Sequence, residues 1–188
     1  MTAYGARQWS AARQAFETIA SGAFSKEDKK KAKTYADAVS RVESAWNKAS
    51  STQGKVAANA WKDAREADGD VNSAHKTFLT DQVIKSYVAA AKTARAAGNC
   101  AEAVEMAEEA ANYTATGSHP EAKAVADGCK ADGKKLLDQA DQALAAGKAA
   151  QAKELAAKAE KILGPSDPLA QKARDILKKA SAAGRGEE

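Results

Sequence analysis

Long apolar runs are missing from this 188-residue chain. No stretch approaches the roughly 18 consecutive apolar residues that suggest a membrane-spanning helix. The opening Met1-Thr2-Ala3-Tyr4-Gly5 lacks the basic and apolar regions of a secretory signal, so no signal peptide is expected there. Histidine is scarce, with only His75 and His119, and there is no Gly-rich phosphate loop. The residue types of a nucleophile–base arrangement are therefore not assembled, and neither catalysis nor a cofactor is expected. An excess of one charge is also lacking. Twenty-nine Lys and Arg face 25 Asp and Glu, for a net charge of +4. A nucleic-acid binder would concentrate its surplus on one face. The only dense basic run is Lys29, Lys30, Lys31 and Lys33, preceded by Glu27 and Asp28. It reads as a solvated helix face, with a patch for an anionic partner as the alternative.

What is present favours helix. Roughly a quarter of the residues are Ala, far above ordinary usage. Ala loses no side-chain entropy in a helix, and the abundant Lys, Glu, Gln and Arg lose little. With only three Pro to interrupt them, the segments predict an all-α chain of antiparallel helical hairpins. Small side chains also predict a thin, close-packed core.

Apolar spacing places the elements. Trp9, Ala12, Phe16 and Ile19 form one stripe, ended by Gly22. Ser25 is placed to cap a second helix from about Lys26 to Ala49, with Ala32, Tyr35, Val39, Val42 and Trp46 on one face. A third stripe runs through Ala57, Ala60, Trp61 and Ala64 to the turn Asp68-Gly69-Asp70. Asp70 or Asn72 is expected to cap a long helix through Phe78, Ile84, Tyr87 and Ala94 to Gly98. A helix over about Ala101 to Tyr113 follows. The next starts near Ser118-His119-Pro120 and reaches about Ala146, with Gly128 and Gly133 able to bend or interrupt it. Two further helices are divided at Gly164-Pro165 and Asp167-Pro168. All ten aromatics lie at or before Tyr113. The organisation expected is an aromatic-cored bundle over 1–81, Ala/Leu hairpins over 82–183 packed with it as one continuous unit, and a frayed tail over 184–188.

The second half repeats itself. Tyr87, Ala90, Ala91 and Ala94 precede Gly98-Asn99-Cys100, then Ala103, Ala107 and Ala110. Leu136, Ala140 and Ala143 precede Gly147, then Ala152, Ala156, Ala159 and Pro165. This pattern resembles tetratricopeptide repeats, with a Gly at the turn and small residues that let helix pairs nest. There are departures. The two glycines are about fifty residues apart where the family repeats at about 34, Gln139 replaces an apolar residue, and the first unit lacks its closing Pro. Gly22-Ala23-Phe24 echoes the turn near the N-terminus, but the residues after it do not fit. The resemblance implies a protein- or peptide-binding scaffold and says nothing of which ligand.

The cysteines carry further information. Reflecting the hairpin about Thr116 puts Cys100 and Cys129 about three residues out of step, roughly 4.5 Å along the axis. A disulfide is therefore geometrically open, worth roughly 3.5 kcal/mol, and two buried thiols are the alternative. A bridge points to the periplasm or exterior, reduced thiols to the cytoplasm. No metal site is expected: His119 between the cysteines matches no zinc spacing, and Asp68-Gly69-Asp70-Val71-Asn72 starts like a calcium loop but has Ser73 and Leu79 where Gly and Glu are needed. His75 reads as an exposed or partly buried helix residue. Trp9, Trp46 and Trp61 read as core anchors, with a partner hot spot as the alternative. The function expected is a non-enzymatic adaptor or assembly module for a protein or peptide partner. A subunit of a larger self-assembling complex is the alternative, and a nucleic-acid-binding helical repeat comes third.

Overall fold

The computed structural model of the chain describes residues 1–164 and 167–183, so the expected tail over 184–188 and the closing Pro165 lie outside the described residues. Among the described residues there are nine α-helices and no strand. They are α1 (Thr2–Gly5), α2 (Trp9–Ser21), α3 (Lys26–Ser51), α4 (Gly54–Gly69), α5 (Lys76–Ala96), α6 (Cys100–Asn112), α7 (Pro120–Ala145), α8 (Ala149–Leu163) and α9 (Pro168–Ala183). From α1 to α4 and again from α6 to α9, each helix packs against the next, which makes the fold an all-α array of hairpins. The chain divides into two compact units, Met1–Ala90 and Ala91 onward.

In the first unit, Gly22 stops α2 and its N–H donates to the Thr18 carbonyl. Its φ is −79°, so no left-handed backbone demands glycine; clearance does, because a Cβ would stand 2.9 Å from that carbonyl oxygen. Ser25 then caps α3 by accepting from the Asp28 N–H at 3.1 Å, while its hydroxyl donates to the Asp28 carboxylate at 2.6 Å. One free N–H of the first turn is thus satisfied, and the second bond ties the capping hydroxyl to the carboxylate. The core is built on Tyr4, Ala12, Phe16, Ala38, Val39 and Val42, with Ala67 and Val71 closing it from the far end of α4.

The second unit has a core of small residues. Ala140, Ala152, Ala156, Ala159, Ala170 and Ala173 are fully buried, and Leu137 and Ile176 supply bulk between them. His119 immediately precedes α7 with Pro120 in its first turn, where a missing N–H costs nothing. That helix runs unbroken for 26 residues, so Gly128 and Gly133 do not interrupt it. Gly133 is a packing clearance, since a Cβ there would meet Leu163 at 2.7 Å, whereas over Gly128 lies the movable end of the Arg95 side chain. The length of α7 also accounts for the wide spacing of Gly98 and Gly147, since a long helix stands where a short one would give a tighter repeat.

Candidate functional site

Gly98 and Gly147 sit in turns with one hydrogen-bond pattern. After α5, the Gly98 N–H donates to Arg95 and the Asn99 N–H reaches back to Ala94; after α7, Gly147 donates to Leu144 and Lys148 reaches back to Ala143. The φ values are +75° and +72°, the left-handed turn that closes a helix and releases the chain into the next. Asn99 and Lys148 then hold the first helical bonds of α6 and α8, to Ala103 and Ala152. Ala103, Ala107 and Ala110 line the buried side of α6, as Ala152, Ala156 and Ala159 do on α8. Tyr87, Ala91 and Ala140 are buried as well, and Leu136 is half-buried against the second core. These residues build hairpins and present no chemistry to solvent.

The same turn occurs a third time, not at Gly22 but between α1 and α2. Arg7 donates to Tyr4, Gln8 reaches back to Ala3, and Gln8 holds Ala12 as the first bond of α2. Arg7 takes the glycine position with φ +60°. A left-handed L-residue costs about 1–2 kcal/mol. Part of that is returned by its guanidinium, whose carbon lies 4.6 Å from the Trp46 ring centroid and 4.4 Å from that of Phe78. Such a contact at an exposed site contributes about 0.5–1 kcal/mol. Arg7→Gly is therefore expected to leave stability within about 0.5 kcal/mol of the parent, and Arg7→Ala to fall about 1 kcal/mol below the Gly variant. Urea unfolding of both variants checks this, and equal midpoints would show that the backbone there is unstrained.

Cys100 opens α6 and Cys129 lies on α7, with Cα atoms 5.5 Å apart and sulfurs at bonding distance. Both are buried, at 4% and 1% exposure. The Arg95 guanidinium lies over Gly128, beside Cys129 in sequence, and pairs with Asp132 at 3.2 Å. His119 lines a shallow groove with Glu108 and Lys123 at the start of α7. Among the described residues no group of three His, Cys, Asp or Glu is placed to hold a metal ion.

The most constrained polar cluster was not legible in the sequence. Asp68 is fully buried at the end of α4 and His75 is 6% exposed, so this histidine is neither an exposed nor a partly buried helix residue. The Tyr4 hydroxyl donates to Asp68 Oδ1 at 2.7 Å. The His75 N–H donates to the same carboxylate at 3.1 and 3.2 Å. His75 Nε2 lies 2.9 Å from the Tyr4 carbonyl oxygen, which accepts, so this nitrogen carries the proton. Burial, then the bond to Asp68, then its charge push the Tyr4 hydroxyl pKa well above the ordinary tyrosine value. The expected caps of α5 are otherwise engaged. Asp70 pairs with Arg41 at 2.7 Å and Asn72 accepts from the Ala74 N–H, because the Asp68 carboxylate already occupies the entrance of α5. Around this cluster Trp9, Trp46, Trp61 and Phe78 pack edge-on or stacked, with Trp61 buried and the other three half-buried.

Two surfaces in the first unit remain available to a partner. Lys30, Lys31 and Lys33 are exposed and Lys29 is half-buried near the start of α3. Around the helix from Lys30 and Lys33, a groove between α2 and α3 is lined by Phe16, Ile19, Phe24, Ala32 and Tyr35, with Asp28 and Lys31 at its rim. No helix among the described residues is long and apolar enough to cross a membrane. In comparisons with known proteins, no family model, curated protein or solved structure matches the chain.

Proposed function

We propose that this chain is a non-enzymatic protein–protein interaction module, an adaptor or assembly factor of tetratricopeptide-like build, working in a bacterial cell envelope or outside the cell. The recurrence of one turn geometry at Arg7, Gly98 and Gly147 is the observation that carries it. A chain that repeats one supersecondary unit invests its sequence in extended surface, and such arrays serve as binding scaffolds. The strongest polar constellation, Tyr4, Asp68 and His75, is spent on internal hydrogen bonds. The cysteine pair at bonding distance favours an oxidising compartment over the cytoplasm.

Self-assembly into a larger complex is the rival reading, and nucleic-acid binding through α3 the third. End-to-end stacking requires an apolar terminal face. The exposed positions of α9 are instead mostly Lys and other polar residues, among them Lys172, Asp175, Lys178 and Lys179. The large apolar residues exposed among the described residues are Met1, Phe24 and Val56, none of them in the second unit. Affinity capture of the tagged chain from its native cells, read by mass spectrometry, is expected to recover one stoichiometric envelope or secreted protein. Recovery of only the chain itself would replace the adaptor reading with self-assembly, which light scattering would show as mass rising with concentration.

A further inference from the structure

The segment ahead of α2 is held bent against its own helical preference. Ala6, Arg7 and Gln8 are all strong helix formers, and no Gly or Pro stands among them. Left to local propensity, α1 and α2 would run together as one helix. Instead Arg7 turns left-handed at φ +60° and Gln8 leaves the helical region at ψ 71°, while Ala6 stays close to it at φ −83° and ψ 6°. A change at Arg7 and Gln8 therefore separates the bent segment from a straight one. Local propensity and tertiary contact disagree here, and contact prevails.

The contacts that prevail are made by Tyr4 and Arg7. Tyr4 is wholly buried, with its hydroxyl on Asp68 and its carbonyl on His75 Nε2. Its ring centroid stands 5.5 Å from that of Trp9 and 5.1 Å from that of His75. The Arg7 guanidinium lies over Trp46 and Phe78. Straightening breaks the Tyr4 contacts. At about 100° per residue, Tyr4 in a continuous helix would point roughly 100° away from the stripe of Trp9, Ala12, Phe16 and Ile19 that faces the core. The ring would leave its seat, and the His75 ring nitrogen would lose its acceptor. We infer that Met1–Gln8 is a strap with two discrete arrangements: bent at Arg7 with Tyr4 seated on Asp68, or straight as an extension of α2 with the seat open. Strain held at the Arg7 hinge keeps the two close in free energy. The seat, made of Asp68, His75 and Trp9, is a gated surface that the chain covers with its own residues and uncovers without unfolding its core. This device does not depend on the adaptor reading.

NMR relaxation dispersion on the whole isotope-labelled chain tests the strap, because it reads exchange on the μs–ms timescale. In the parent, the amides from Tyr4 to Trp9, the His75 amide and the Trp9 indole are expected to exchange at one common rate, with the straight form at roughly 1%. Glycine carries no left-handed penalty and weakens a straight helix, so Arg7→Gly should lower that population about tenfold. Alanine keeps the penalty, favours the straight helix and lacks the guanidinium, so Arg7→Ala should raise it about fivefold. Tyr4→Ala, which empties the seat, should show helical Cα shifts at Ala6, Arg7 and Gln8, with unchanged shifts at Ala38 and Val42 as the sign of an intact fold. If Tyr4→Ala does not fold, the minor-form shifts of Arg7→Ala give the same readout. Exchange absent from both the parent and Arg7→Ala, or equal populations in Arg7→Gly and Arg7→Ala, would overturn the strap. Random-coil shifts at Ala6, Arg7 and Gln8 in the open form would overturn it too, since the segment would then fray rather than straighten.

Discussion

Replacing Cys100 and Cys129 together by Ala is expected to cost about 3–4 kcal/mol of unfolding free energy relative to the oxidised parent. The magnitude comes from the loop. The cysteines are 29 residues apart, and closing such a loop removes that much entropy from the unfolded chain in the chain-entropy model. Alanine keeps the helix propensity of both positions and buries no new polar group, so little else enters the comparison. Urea unfolding followed by helical circular dichroism measures it. Because both sulfurs are buried, reduction of the native chain must wait for local opening, and alkylation trapping should find few free thiols after mild reductant without denaturant. A loss below about 1 kcal/mol, with both cysteines alkylated in native material, would mean reduced thiols and remove the argument for an oxidising compartment.

The cysteine pairing was readable because both ends lie on one hairpin, where sequence distance converts directly into axial distance. Ser25 and Gly22 were readable for a similar reason: a cap and a stop act on neighbours within four residues. Legibility fails when the partner is remote or the signal residue is absent. Tyr4 and Asp68 are 64 positions apart and His75 reaches back 71, and no periodic pattern links three polar residues at such distances. Arg7 hid the third turn because that turn is recognised by its glycine, and an arginine there announces nothing. Gly128 and Gly133 read as helix breakers because sequence shows what a glycine weakens locally, not which side chain from another helix needs its space. The groove at Phe24 is of the same kind. The stripe Trp9-Ala12-Phe16-Ile19 located the buried side of α2, but the slot depends on the ring folding over Gly22, a contact that local spacing does not encode.

Asp68→Ala is expected to cost about 3 kcal/mol, because it strands two buried donors, the Tyr4 hydroxyl and the His75 N–H. Tyr4→Phe removes only one of those bonds and is expected to cost about 1–2 kcal/mol. The double variant should cost less than the sum by about 1 kcal/mol or more, since the two residues share one hydrogen bond. Additive costs would mean that the Tyr4–Asp68 bond contributes nothing and that the Asp68 carboxylate acts through the His75 N–H. Alkaline pH gives an independent check. The folded Tyr4 hydroxyl holds its proton above the ordinary tyrosine range, so above pH of about 10 the unfolded chain releases a proton that the folded chain keeps. Stability contributed by the shift is fully present below that pH and drains as pH rises, by up to about 1.4 kcal/mol per pH unit from this one group. Tyr4→Phe has no such proton to lose. Its deficit relative to the parent should therefore shrink steadily above pH of about 10, while the other tyrosines and the lysines titrate alike in both. A deficit that stays constant across that range would show that Tyr4 ionises as freely in the folded chain as in the unfolded one, and that its hydroxyl is not held by Asp68.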